Sequence, residues 1–113
     1  STAEVTTLEL TQRQNLAGGL GQLIGVLRRL FRSCSPQGLE QALEVVSDVS
    51  AAQRLGALLV QEGHIELGNV VQTWLKGKRT RPISLTVERD EGPSRYDAKF
   101  KVRIPEQLQT ANA

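Results

Sequence analysis

The stretch "AAQRLGALLVQEG", residues 51–63, decides the fold. Ala51, Ala52, Leu55, Leu58 and Leu59 recur at three- and four-residue steps, the spacing of one apolar stripe on a helix. Ser47 or Asp48 stands where an N-cap belongs, and Gly63 is a natural stop. Gly56 interrupts the helix and costs about 1 kcal/mol against alanine. That cost implies a close neighbour, expected here to be another helix. On a helical wheel Gln53 falls opposite Leu55, and Arg54 lies at the edge of the stripe. Arg54 is expected to lay its aliphatic stem along the core edge and reach a carboxylate or the C-terminal carbonyls of a neighbouring helix. Gln53, Arg54, Leu55 and Gly56 therefore read as a fold signature for packing and orientation, not as an active site.

Working outward, four more helices are expected. Residues 6–16 could form a first one, with Thr6 or Thr7 as its cap and Leu8 and Leu10 as weak markers. "AGGLG", residues 17–21, breaks it, because adjacent glycines favour turns. Leu20, Leu23, Ile24, Leu27, Leu30 and Phe31 then form a clear amphipathic stripe. Arg28, Arg29 and Arg32 lie mostly off it, in the last turn, where cations complement the helix dipole. Ser35 and Pro36 suit the N-cap and first position of a third helix that buries Leu39, Ala42, Leu43 and Val46. Beyond residue 63, a last helix from about Ile65 to Leu75 buries Leu67, Val70, Val71, Trp74 and Leu75, and Gly77 ends it.

The period then changes from helical to alternating. "PISLTVE" sets Ile83, Leu85 and Val87 against Ser84, Thr86 and Glu88. "AKFKVRIP" sets Phe100, Val102 and Ile104 against Lys99, Lys101 and Arg103. A two-residue period marks strands with one buried face. "RDEGPSRYD" between them reads as a loop. The expected class is α+β: about five short helices followed by two β-strands, an antiparallel pair packed on the helices. Residues 1–105 are expected to be one domain, and residues 106–113 a flexible tail.

Composition narrows the function. The chain has 113 residues, a net charge of +2 and one cysteine, so neither an intrachain disulfide nor a cysteine-rich zinc site can form. Residues 1–15 lack the apolar core of a signal peptide. No apolar run reaches the roughly 18–20 residues that span a bilayer. Both points favour a cytoplasmic location and argue against a membrane partner. His64 is the only histidine and has no partner nearby in sequence. Cys34 precedes a cap instead of opening a helix, so an inert thiol is expected. "GGLG" lacks the lysine and hydroxyl of a phosphate-binding loop. Glu40 and Glu44 are neighbours on an exposed helix face and read as solvation. No catalytic, metal or cofactor residue is expected.

Basic residues cluster late in the chain. Lys76, Lys78, Arg79 and Arg81 follow the last helix, and Lys99, Lys101 and Arg103 fall on one strand face. Along a strand such residues stand roughly 6–7 Å apart. The two groups could merge into one surface that contacts a protein partner or a nucleic acid, although Glu88 and nearby acids could simply offset it.

"STAEVTTLELT", "AGGLGQLIGVL", "QRLGALLVQEG" and "WLKGKRTRPISL", in this order, resemble the C-terminal domain of the AbiEi family. These are bacterial antitoxins and transcriptional regulators of abortive-infection toxin–antitoxin systems. The resemblance rests on Ser1, Thr2, Glu4, Thr6, Glu9, Leu10, Gly18, Gly19, Leu20, Gln53, Arg54, Leu55, Gly56, Leu58, Leu59, Gly63, Trp74 and Leu75. Relatives often carry an aromatic at the position of Ala57 and a tryptophan at that of Phe100. The resemblance implies a non-enzymatic domain that neutralises a nucleotidyltransferase-like toxin, with or without stable contact. It implies repression of its own operon by a DNA-binding winged helix, which in relatives precedes the Ser-Thr start. The chain is then expected to be a fragment or an isolated domain. The alternatives are a small basic nucleic-acid-binding module and an unrelated protein-interaction domain.

Overall fold

The computed structural model describes residues 2–14, 19–86 and 92–106. The expectations placed on Ser1, Gly18, Val87, Glu88 and residues 107–113 lie outside the described residues. The elements are α1 (Ala3–Gln12), α2 (Leu20–Arg32), α3 (Pro36–Val46), α4 (Val49–Gln61), α5 (Ile65–Leu75), β1 (Ile83–Ser84), β2 (Ser94–Asp97) and β3 (Val102–Pro105).

Side-chain caps open three of the helices. Thr2, not Thr6 or Thr7, caps α1, and its side chain accepts from Val5 N–H. Thr7 and Thr11 instead donate their hydroxyls to the Ala3 and Thr7 carbonyls, one turn back in the same helix. Ser35 accepts from Gly38 N–H at the start of α3, and Asp48 from Ala51 N–H at the start of α4. The second Asp48 oxygen accepts from Gln12, so one carboxylate caps α4 and also ties it to α1.

α4 is the centre of the fold. Ala51, Ala52, Leu55, Ala57, Leu58 and Leu59 are all buried, and Gln53 and Gly56 are buried with them. A helix apolar on nearly every side is an interior helix. α5 packs along it, α1 touches it near its start, and the sheet covers a further side. At Gly68 of α5 an added Cβ would lie 2.7 Å from Val60 and 4.0 Å from the Gly56 carbonyl oxygen. Gly68 therefore specifies the close helix approach; the neighbour at Gly56 is not the helix expected there but the Phe100 ring.

The strands differ from the antiparallel pair expected from the alternation. Among the described residues there are three, in the order β1-β3-β2, and the sheet is mixed. β1 pairs with β3 in parallel, Ile83 opposite Val102. β2 pairs with β3 antiparallel, Asp97 opposite Val102 and Ser94 opposite Pro105. β2 lies in the stretch that reads as a loop. Its residues are mostly exposed, so no buried face leaves an alternating pattern. β3 does alternate, with Val102 and Ile104 buried and Arg103 exposed. Residues 98–101, expected to continue that strand, are a turn. Asp97 fixes it by accepting from the N–H groups of Lys99 and Phe100. Pairing also runs one residue into the expected tail, since Glu106 N–H donates to the Pro93 carbonyl at 2.9 Å.

Candidate functional site

"QRLG" is where α4 grips the sheet. Gln53 is 1% exposed, contrary to its expected outward position. Its Nε2 donates to the carbonyls of Arg81 and Phe100, each at 2.9 Å. Arg54 Nε donates to the Ser84 carbonyl of β1 at 2.9 Å, so its acceptor is strand backbone, not a carboxylate or a helix end. Burial pulls the Arg54 pKa down from its ordinary value, and Asp48 partly opposes that. Leu55 is in the core. A Cβ added at Gly56 would collide with the Phe100 ring. The four residues thus supply two donors, one apolar contact and one gap, and both donors and the gap face the strand region.

The turn that drives Phe100 onto Gly56 also sets the basic residues. Lys99 and Lys101 flank Phe100 in that turn, and Lys101 takes a left-handed φ of 58°. They therefore do not share an extended strand face with Arg103, and the strand spacing expected for them does not apply. Lys99 and Lys101 line one cavity of about 200 Å³ together with Lys76, Gln53, Gln72, Leu75, Thr80 and Phe100. The end of α5 and the turn thus bring lysines of both sequence clusters together. Arg79, Arg81 and Arg103 are exposed and do not line that cavity. Lys78 turns to Trp74, its Nζ 4.2 Å from the ring centroid.

Cys34 and His64, far apart in sequence, line one cavity. Burial pushes the Cys34 thiol up, Thr7 lowers it somewhat and Glu4 raises it. Its sulfur donates to the Leu30 carbonyl. A thiol held in its protonated form is a poor nucleophile. His64 sits at the N-cap of α5 and makes no side-chain cap. Its ring meets Phe31 edge-on, with centroids 5.5 Å apart.

Sequence reasoning missed the role of Glu4, which is 6% exposed. It reaches from α1 to the start of α3, where it accepts from Ser35 N–H at 2.7 Å. A carboxylate at a helix N-terminus meets unpaired N–H groups and the positive end of the dipole. The Ser35 backbone bond holds its pKa below the ordinary 4.5, against a smaller opposing effect of burial. An added Cβ at Gly38 would lie 2.6 Å from the Glu4 carboxyl carbon. Serine and proline at the start of α3 signalled a helix start, but nothing local revealed the carboxylate from another helix.

Residues 1–61 match the family model described as the AbiEi antitoxin C-terminal domain, more than half of the 113 residues. The chain belongs to the AbiEi antitoxin family. No curated protein matches it, and no solved structure does. The AbiEi match takes in the Glu4–Ser35 clasp and the whole of α4. It ends before Arg81, Ser84 and Phe100, the residues that Gln53, Arg54 and Gly56 hold. Membership in an antitoxin family implies a toxin as partner in general terms. No described helix is long and apolar enough to cross a membrane.

Proposed function

We propose that this AbiEi domain is a non-enzymatic antitoxin module that neutralises a nucleotidyltransferase-like toxin in bacterial abortive-infection defence against phage. It acts in the cytoplasm and belongs with regulators that also repress their own operon by binding DNA. The family match over residues 1–61 carries this reading. The convergence of Lys76, Lys99 and Lys101 on one cavity supports a contact role for that surface. Arg79 and Arg81 flank the lining residue Thr80 in sequence. Gln53, which bonds the Phe100 carbonyl, and Gly56, which leaves room for its ring, hold the turn beneath.

The test is co-expression with a nucleotidyltransferase encoded beside the gene. The parent is expected to restore growth. Changing Lys76, Lys99 and Lys101 together to Gln is expected to weaken that rescue. Surface changes of this kind usually alter stability by less than about 0.5 kcal/mol, so the melting temperature should hold. Full rescue by the folded triple variant would exclude the lysine cavity from neutralisation. A second reading, nucleic-acid binding, draws on the same lysines beside Gln72 and Thr80, which suit phosphate oxygens. It predicts DNA or RNA affinity that falls steeply with salt and is lost in the triple variant.

A further inference from the structure

We infer that the groove between α3 and α5 is a docking site for a short basic, amphipathic segment of a partner protein. This surface is separate from the lysine cavity and goes beyond the function proposed above. The groove encloses about 490 Å³ and is lined by Pro36, Glu40 and Glu44 from α3 and by Glu66, Val70 and Trp74 among others from α5. Pro36, Glu40 and Glu44 follow at four-residue steps, so they share one helix face. Eight residues of helix rise about 12 Å, which gives a trough about two turns long.

Its chemistry is selective. The walls supply an apolar surface from Pro36, Val70 and Trp74. Glu44 accepts from the Trp74 indole N–H at 3.2 Å, which orients the ring. Glu40 and Glu66 are exposed and make no ion pair among the described residues. Three carboxylates around one concavity repel each other, and a cation relieves that repulsion. The same tryptophan already holds a cation within the chain, the Lys78 ammonium at 4.2 Å. An aromatic face with nearby carboxylates is the chemistry that receives lysine and arginine. The acids also repel nucleic acid from this face. The chain as a whole carries +2, so attraction of a basic segment must be local to the groove.

Trp74 is the only tryptophan, so intrinsic fluorescence reports on the groove. A short helical peptide of leucine and lysine is titrated into the full chain, with a leucine–glutamate peptide of the same apolar pattern as control. Saturable fluorescence change with the lysine peptide only is expected. Changing Glu40 and Glu66 together to Lys should weaken it at least about tenfold, because like charges then meet. Changing Glu9 to Lys, an exposed acid on α1, should leave it within about twofold, as expected of a rim charge outside the contact. Absence of saturation, equal binding of the acidic peptide, or equal weakening by Glu9→Lys would each overturn the proposal. An unchanged melting temperature of the double variant, read alongside, confirms that a lost signal is lost binding.

Discussion

At the scale of single residues, Glu4 and Gly56 make the sharpest claims. Glu4 is ionised and bonded in the folded state, and its pKa is depressed. A depressed carboxylate adds stability above its unfolded pKa, and that stability is lost as pH falls through the folded value. The parent should therefore weaken as pH drops below about 4.5, the ordinary value, and Glu4→Gln should flatten that part of the profile. At neutral pH the same substitution should cost up to about 1.5–3 kcal/mol, the range for a hydrogen bond to a charged group. Denaturant midpoints across pH measure both effects, and parallel profiles for the two proteins would refute the role. At Gly56, better helix propensity competes with a clash. The added Cβ meets an aromatic ring, which cannot bend aside like the end of a flexible chain. Gly56→Ala is therefore expected to lose stability, and Gly56→Leu to lose about 1–3 kcal/mol or more by overpacking. An unchanged midpoint for the Leu variant would mean that Phe100 is not seated there.

At the scale of elements, the sheet hangs on α4 by a few donors. Gln53→Ala removes both of its bonds, to Arg81 and Phe100, and leaves two carbonyls to find other donors. Amide exchange is expected to accelerate in β1 and in the turn before β3 while α2 and α3 keep their protection. Uniform acceleration across the chain would show that helices and sheet open together. The helices were legible because four of them carry an apolar stripe at three- and four-residue steps. α1 was the least legible: Glu4, Thr7 and Thr11 are buried in it, and buried polar groups leave no hydrophobic period. β3 was legible in its buried face, Val102 and Ile104. β2 was not, because an exposed edge strand has no reason to alternate. The parallel pairing of β1 was hidden as well, since partner choice depends on contacts distant in sequence. The lysine cavity was half legible: its charges stood out, but the Asp97 turn that gathers Lys99 and Lys101 did not.

At the scale of the whole molecule, the sheet completes the core. Leu85, Phe100, Val102 and Ile104 are each no more than 1% exposed. Burying a large apolar side chain contributes about 1.5–3 kcal/mol, so four of them contribute about 6–12 kcal/mol. That rivals the whole net stability of a typical domain, about 5–15 kcal/mol. Cutting the chain after Lys78 is therefore expected to abolish cooperative melting and to expose apolar surface to a hydrophobic dye. A sharp melt at the parent temperature would show that the five helices stand alone. The charge is also divided, with carboxylates along α3 and α5 and lysines around the turn before β3. Two partners of opposite charge could then be held at once, and their affinities should respond independently to variants on either face.

The strand order β1-β3-β2 carries a consequence for how the chain is made. The middle strand is synthesised after the other two, and among the described residues both outer strands pair with it alone. While a ribosome is still extending the chain, β1 and β2 emerge before the strand they pair with. α4 emerges well before them, with Gln53 and Arg54 lacking their carbonyl acceptors and Gly56 lacking its ring. Helices form locally and early, whereas distant pairings wait for the sequence that supplies them. The nascent protein thus passes through a helical stage with the sheet-facing side of α4 uncovered. A pause in synthesis near residue 100 would prolong that stage and invite capture by chaperones or proteases.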